Sequence, residues 1–187
     1  PTFSEALRFS AFNVVSIATT TGYASTDYAL WPMFAPLWML FLSSFATSAG
    51  STGGGIKMIR AIVLYKQVYR ELTRAMHPNA IHPVKIGSEL VPSNILFAVL
   101  AFGFMYMVCI VSMTLALSFS DLEIVTAFTA VVASINNTGP GLGQVGPATN
   151  FGSLSDFQTW VCTFAMLLGR LEIFTLLVVM TPAFWRK

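Results

Sequence analysis

Charge is scarce in this chain. Asp, Glu, Lys and Arg together make up 10% of its 187 residues, whereas hydrophobic residues make up 55%. An ordinary soluble domain has about 25% charged residues, so the composition excludes that class. Residues 93–119 form one of several uncharged runs, and about 20 helical residues are enough to cross the roughly 30 Å hydrocarbon layer. The sequence therefore predicts a multi-pass protein of the lipid bilayer.

Residues that form disulfides or bind metals are also few. The chain has two cysteines and two histidines. Cys109 and Cys162 each stand among apolar residues, where a free cysteine acts as a small hydrophobic side chain. The spacing of His77 and His82 matches no standard zinc motif, and no nucleophile, base and orienting acid can be assembled from the polar positions. We therefore expect no disulfide, no zinc site, no bound organic cofactor and no enzyme activity.

The basic residues are concentrated in one stretch between apolar runs, which holds Lys57, Arg60, Lys66, Arg70, Arg74 and Lys85. Short basic loops beside membrane spans mark the cytoplasmic side, and this explains the cluster better than nucleic-acid binding does. We expect no nucleic-acid partner and assign residues 57–92 to a cytoplasmic connection. Arg186 and Lys187 indicate that the C-terminus is cytoplasmic as well.

Three long apolar runs are predicted to be membrane helices, at residues 31–49, 93–119 and 157–181. The first run meets a stretch of six small residues, Gly50, Ser51, Thr52, Gly53, Gly54 and Gly55. Each glycine costs about 1 kcal/mol of helix propensity relative to alanine, so we expect an irregular break there. The third run is interrupted only by Arg170 and Glu172, and we expect it to be the last span.

Two shorter apolar segments, residues 2–18 and 120–135, are too short to cross the bilayer. Each begins with the spacing of a capping box, Thr2-x-x-Glu5 in one and Ser120-x-x-Glu123 in the other, in which side chains satisfy the free amides of a helix start. We therefore predict two re-entrant half-helices.

The sequence contains an internal repeat. When Gly22 is aligned with Gly139, Thr21 falls on Thr138 and the pair Val14-Val15 falls on Val131-Val132. Further on, the pattern Phe-Ala-x-x-x-Gly occurs at residues 45–50 and again at 164–169. The repeated unit consists of an outer helix, a half-helix, a polar glycine loop and an inner helix. We predict an all-α membrane protein of potassium-channel-like pore-loop units, in which residues 1–56 form a unit without its outer helix and residues 93–187 form a second unit.

The two polar loops are the candidate ion site, with Thr20, Thr21 and Gly22 in one and Asn137, Thr138 and Gly139 in the other. Irregular backbone is tolerated at membrane depth only where it is buried in protein or lines a water-filled cavity. Rings of backbone carbonyls can replace the hydration shell of a potassium ion, and the negative ends of half-helices favour a cation. The alternative is a simple extracellular turn at each Thr-Gly pair.

Three longer motifs stand out, AGSTGGGIK at residues 49–57, NNTGPG at 136–141 and LGRLEIFT at 168–175. These motifs resemble those of bacterial Trk-type subunits in the Trk/Ktr/HKT superfamily of potassium transporters. The likeness extends over the whole chain. It implies the pore-forming subunit of a potassium uptake system in the bacterial inner membrane, with four units around one pore. This chain is similar to the third unit, without its outer helix, and the fourth, so the resemblance implies a missing N-terminal half that supplies two more units.

The resemblance also implies roles for the glycine-rich break and for Arg170. The segment at residues 50–55 corresponds to an intramembrane gating loop in that superfamily, and Arg170 corresponds to an arginine beside it. We expect Arg170 to bind loop carbonyls or to repel cations, the alternative being a buried ion pair with a carboxylate of the missing half. A phosphate-binding P-loop is excluded because Ile56 separates Gly55 from Lys57.

The partners implied by the resemblance are a second copy of the protein, each copy having its own pore, and a cytosolic nucleotide-binding regulatory ring. The basic stretch at residues 57–85 is a plausible docking surface for that ring.

Two other classes of membrane protein, a secondary transporter and an intramembrane enzyme, fit the sequence less well. A secondary transporter also uses broken helices, but commonly in inverted repeats, whereas these two units run in the same direction. An intramembrane enzyme would need ionisable residues within spans, and only Arg170 and Glu172 qualify.

Overall fold

The computed structural model describes residues 2–45, 53–77 and 82–186. In chain order its helices and strands are α1 (Phe3–Ala18), α2 (Phe34–Phe45), α3 (Met58–Met76), β1 (Lys85–Ile86), β2 (Glu89–Leu90), α4 (Ser93–Phe119), α5 (Ile124–Ile135), α6 (Asp156–Arg170), α7 (Ile173–Met180) and α8 (Pro182–Trp185). Single 3₁₀ turns lie at Tyr28–Leu30, Gly143–Val145 and Phe151–Ser153.

The first predicted half-helix begins as its capping box indicates. The backbone amide of Thr2 donates to Glu5 Oε2 at 2.8 Å, and the amide of Glu5 donates to Thr2 Oγ1 at 3.4 Å. The prediction of a second box at Ser120 is wrong, because α5 begins at Ile124 and Glu123, at its N-cap, makes no side-chain capping bond. The Ser120 hydroxyl instead donates to the carbonyl of Leu117 at 2.6 Å, at the end of α4.

A capping box that the sequence analysis missed starts α6. The amide of Ser155 donates to Gln158 Oε1 at 2.9 Å, and the amide of Gln158 donates to Ser155 Oγ at 3.4 Å. The side-chain amide of Gln158 also reaches the hydroxyl of Ser120, at 3.0 Å. Ser120 is therefore used to tie α4 to α6, which explains why it does not cap α5.

Helix α4 has the bounds of the predicted uncharged run. Among the described residues it is the single helix that is long and apolar enough by itself to cross a membrane. Helices α6 and α7 meet the same test together, but their axes are bent by 112°. The run at residues 157–181 is therefore not one regular helix, and it passes the length and composition test for a span as a bent pair.

The bend between α6 and α7 is at Leu171 and Glu172. Glu172 has a φ of 60° and a ψ of 128°, a positive-φ conformation that residues other than glycine rarely adopt. Its carboxylate forms ion pairs with Lys57 at 2.8 Å and with Arg60 at 3.0 Å. The bend carries this acidic side chain to two basic residues at the start of α3, and Arg60 in turn lies 4.2 Å from the ring centre of Phe102 on α4.

The segment that was assigned to a cytoplasmic connection contains regular structure. Helix α3 is amphipathic and buries Val63 beside Val99 of α4 in a small apolar cluster. After it, β1 and β2 form an antiparallel hairpin in which Lys85 pairs with Leu90. This hairpin is a small departure from the predicted all-α fold.

Helix α5 lies at the centre of the described structure and packs against α2, α4 and α6. Small residues make this possible, since Ala127, Ala130 and Ala133 are each 0% exposed and allow close approach of neighbouring backbones. Helix α1 is much more open, and Phe3 and Leu7 are 85% and 59% exposed. The two half-helices therefore sit in very different surroundings.

Candidate functional site

The first predicted loop leaves α1 through a tight turn at residues 19–22, here called the first turn. Thr20 and Gly22 have positive φ values of 54° and 83°. The amide of Thr20 donates to the carbonyl of Ile17 at 3.1 Å, and the amide of Thr21 donates to that of Ser16 at 2.8 Å. A left-handed residue that ends a helix and leads to such a backward hydrogen bond is a Schellman-type helix end.

The second turn, at residues 136–139, repeats this geometry at the end of α5. Asn137 and Gly139 have φ values of 54° and 105°. The amide of Asn137 donates to the carbonyl of Ser134 at 3.0 Å, and the amide of Thr138 donates to that of Ala133 at 2.9 Å. The internal repeat found in the sequence is thus confirmed in the backbone hydrogen bonds of both turns.

The two turns lie directly against each other. A Cβ atom added to Gly22 would overlap the carbonyl oxygen of Thr138, and one added to Gly139 would lie 3.9 Å from the Cα of Gly22. Glycine is needed at residue 22 both for its positive φ and for this close approach. The structure therefore brings together the six residues of the candidate ion site, Thr20, Thr21, Gly22, Asn137, Thr138 and Gly139.

A buried asparagine supports the first turn. Asn13 is 0% exposed, and its side-chain nitrogen donates to the hydroxyls of Ser25 at 3.0 Å and Thr26 at 3.2 Å. Its side-chain oxygen accepts from the amide of Ser25 at 3.1 Å. Nearby, burial and the Asp27 carboxylate raise the pKa of Tyr28 to about 12, so this phenol stays neutral at physiological pH.

Two threonines of α5 support the chain that follows the second turn. Thr129 Oγ1 accepts from the amide of Leu142 at 2.9 Å, and Thr126 Oγ1 accepts from the amide of Gln144 at 3.3 Å. Thr126 and Thr129 are both buried. Threonine hydroxyls therefore accept backbone amides of the chain after the second turn, as the Asn13 carboxamide does after the first turn.

Asn136 is a site residue that the sequence analysis missed. It is 0% exposed and immediately precedes the left-handed Asn137. Its side-chain oxygen accepts from the Tyr106 hydroxyl at 2.8 Å, and its side-chain nitrogen donates to the hydroxyls of Ser44 at 2.8 Å and Ser43 at 3.2 Å. The sequence signal for it is the pair Asn136-Asn137 at the end of the apolar half-helix, but the sequence analysis includes only Asn137 in the ion site.

The predicted gating loop is described in part. Gly50, Ser51 and Thr52 lie outside the described residues. A Cβ atom on Gly54 would overlap the carbonyl oxygen of Asn136, and one on Gly55 would lie 2.8 Å from Asn136 Oδ1.

The chain returns from this glycine-rich segment to the end of α2. The amide of Ile56 donates to the carbonyl of Ser44 at 2.9 Å, and Gly55 has a φ of 81°. The described end of the segment is thus held between the second turn and α2.

Helix α6 also approaches the second turn closely. A Cβ atom on Gly169 would overlap the carbonyl oxygen of Ile135, so this position needs glycine. The side-chain nitrogen of Asn137 donates to the carbonyl of Met166 at 3.2 Å. Packing against the end of α5 therefore explains Gly169, the glycine of the LGRLEIFT motif.

Arg170, the predicted gating or pore charge, lines a cavity of about 200 Å³. The same cavity is lined by Gly53 and Gly55 from the predicted gating loop and by the ion-paired Glu172. Arg170 thus lies near Gly53 and Gly55, and its role there stays a prediction.

The described residues contain no group of three or more His, Cys, Asp or Glu side chains that could hold a metal ion.

Comparison with known proteins identifies the relatives of this chain. The TrkH family model, described as a cation transport protein, matches residues 3–187. The chain is 45% identical over 183 residues to the Trk system potassium uptake protein TrkH of Vibrio parahaemolyticus, covering 98% of this chain and 37% of that relative. It is 37% identical over 178 residues to TrkG of Escherichia coli strain K12, covering 95% of this chain and 36% of that relative.

The fold is also that of a solved relative. The crystal structure of the potassium transporter TrkH from Vibrio parahaemolyticus matches with a TM-score of 0.90 and 44% sequence identity, covering 98% of this chain and 39% of that one. The chain spans about 37% of the length of the curated relatives it matches. Because the family model covers nearly all of its residues, the chain belongs to the TrkH family of cation transport proteins.

Proposed function

We propose that this chain is the C-terminal part of a potassium-conducting subunit of a Trk-type uptake system in the bacterial inner membrane. The observation that carries the proposal is the contact between two glycine turns with the same backbone geometry, at the ends of two half-helices. The names of the relatives supply the ion, since they are potassium uptake proteins.

In the proposed filter, the backbone carbonyls of the two turns replace the hydration shell of potassium. The contributing residues are Thr20, Thr21, Gly22, Asn137, Thr138 and Gly139. Each turn has one glycine, whereas the potassium-channel filter TVGYG has two. We therefore expect fewer ordered ion sites and a weaker preference for potassium over sodium than in such channels.

The proposed gate is the segment at residues 50–55 together with Arg170. The close contacts of Gly54 and Gly55 with Asn136 support a position of this segment directly below the filter. Arg170 lines a cavity with Gly53 and Gly55, and a guanidinium within a membrane costs about 2.5–3.5 kcal/mol on insertion scales. Its role is to hold the gate or to repel cations when the gate is closed.

The proposed assembly is larger than this chain. Two units do not enclose a four-fold pore, and the relatives are more than twice as long as the chain. Residues 1–56 would be the third unit, residues 57–92 a cytoplasmic connection and residues 93–187 the fourth, with the remaining units supplied by the N-terminal half. A homodimer with one pore in each copy, and a cytosolic nucleotide-binding ring docked on the basic face of α3, complete the proposal.

Cation flux through the full-length protein in liposomes tests this function. The wild type should conduct potassium and rubidium faster than sodium, and Gly22→Ser should lose most of that preference, because a side chain at residue 22 overlaps the Thr138 carbonyl. Ser112→Ala is a suitable control, since the Ser112 hydroxyl bonds only within α4, to the carbonyl of Cys109 at 3.2 Å. Equal potassium and sodium flux in the wild type would contradict a potassium filter.

A further inference from the structure

Asn136 connects three separate elements of the described structure through one side chain. Tyr106 on α4 donates to its oxygen, and Ser43 and Ser44 on α2 accept from its nitrogen. The hydroxyls of Ser43 and Ser44 donate to the carbonyl of Leu40 at 2.6 and 3.5 Å, so they accept from the carboxamide nitrogen, and this favours one orientation of the amide.

The same residue touches the described end of the proposed gate. The Asn136 carbonyl leaves no room for a Cβ atom on Gly54, and its side-chain oxygen lies 2.8 Å from the Cβ position of Gly55. Ile56 is hydrogen bonded to Ser44, one of the Asn136 partners, at 2.9 Å. A displacement of residues 54–56 therefore disturbs the surroundings of Asn136, and rotation of its amide disturbs residues 54–56.

Asn136 also bears on the second turn. Its own amide donates to the carbonyl of Val132 at 3.0 Å, which closes the last turn of α5, and the next residue is the left-handed Asn137. Asn136 is thus the first residue of the second turn, and its side chain also contacts residues 54–56.

Among the described residues, the first turn shows no equivalent of this connection. Thr19 takes the place of Asn136 in the repeat, and its hydroxyl donates to the carbonyl of Val15, within its own helix, at 2.7 Å. An arrangement that served only to end a half-helix would be expected at both turns. Its presence at the turn that the described glycines 54 and 55 touch points to a role in connecting the two.

From these contacts we infer that Asn136 is a positioning residue that couples the second turn to residues 54–56, at the described end of the proposed gate. Tyr106 and Ser44 hold its carboxamide in place. The inference rests on the proposed function. In the closed state the network holds residues 54–56 beneath the second turn, and loss of one of its hydrogen bonds favours opening.

Potassium flux and the potassium-to-sodium permeability ratio of the full-length protein in liposomes test this inference. Tyr106→Phe and Ser44→Ala each remove one hydroxyl and should raise basal potassium flux about three- to tenfold, the change expected from one net hydrogen bond. The double variant should show less than the product of the two effects, because both act through Asn136. Ser112→Ala on α4 is the matched control and should behave as the wild type.

The thermal unfolding midpoint of each variant separates coupling from stability alone. A lowered midpoint with wild-type flux and permeability ratio would overturn the inference, as would independent, multiplicative effects of Tyr106→Phe and Ser44→Ala. A wild type that carries no potassium would overturn the proposed function and this inference with it. A conducting wild type whose Tyr106→Phe and Ser44→Ala variants are unchanged would overturn only the coupling.

Discussion

The two turns at the ends of the half-helices have the same backbone conformation but different side chains supporting them. Both end with a left-handed residue, Thr20 or Asn137, and both place a glycine with positive φ two residues later. Within this chain, α5 is enclosed by α2, α4 and α6, whereas the described residues leave much of the apolar surface of α1 uncovered. The comparison teaches that the turn itself demands a particular backbone, while the side chains that support it are set by whichever elements lie next to it.

The supports differ in chemistry as well as in number. Asn13 serves the first turn through one carboxamide, whereas Thr126 and Thr129 serve the second through two hydroxyls. The second turn has further neighbours in Gly54 and Gly169, whose close packing leaves no space for a side chain. If the two turns contribute to one ion site, changes at either should affect selectivity, and the size of the effect should follow these local contacts.

The largest difference is expected between the two turn glycines. Gly22→Ala combines left-handed strain of about 1–2 kcal/mol with overlap of the Thr138 carbonyl, and overpacking adds about 1–3 kcal/mol. Gly139→Ala brings strain at a φ of 105° but has 3.9 Å to its nearest neighbour. We expect Gly22→Ala to lower the potassium-to-sodium flux ratio at least about tenfold, and Gly139→Ala to lower it less. Equal losses in liposome flux would show that the overlap at residue 22 is of no consequence.

A smaller difference is expected between the two kinds of support. Asn13→Ala leaves the part-buried amide of Ser25 without its side-chain acceptor and removes a donor to two hydroxyls, which together should cost about 2 kcal/mol. Thr129→Val keeps the side-chain shape and removes the acceptor for Leu142, which should cost about 1 kcal/mol. The free energy of unfolding in detergent measures both, with Thr163→Ala, an exposed hydroxyl on α6, as control. A larger loss for Thr129→Val would reverse our ranking of the supports.

Local patterns in the sequence predicted local structure well. The uncharged run at residues 93–119 has the bounds of α4, and the alignment of Gly22 with Gly139 identified two turns with the same hydrogen bonds. The box at Thr2 was also correct. These features depend on residues a few positions apart, so the information needed to predict them lies within one short segment.

The errors came from contacts between distant parts of the chain. At the bend before α7, Glu172 forms ion pairs with Lys57 and Arg60, and apolar length alone does not reveal these contacts. The spacing Ser120-x-x-Glu123 wrongly predicted a cap for α5, because the bond of Ser120 to Gln158 joins residues far apart in the sequence. Asn136 was overlooked for the same reason, since its partners Tyr106 and Ser44 lie on other helices.

The central claim is that main-chain oxygens of the two turns bind a dehydrated cation between them. Anomalous diffraction from crystals of the full-length protein soaked in rubidium tests it most directly. The account predicts a rubidium peak in contact with carbonyl oxygens of Thr21 and Thr138 or of the adjoining glycines, reduced in crystals of the Gly22→Ala variant. A structure with the turns at residues 19–22 and 136–139 separated, or with rubidium bound only elsewhere, would contradict it.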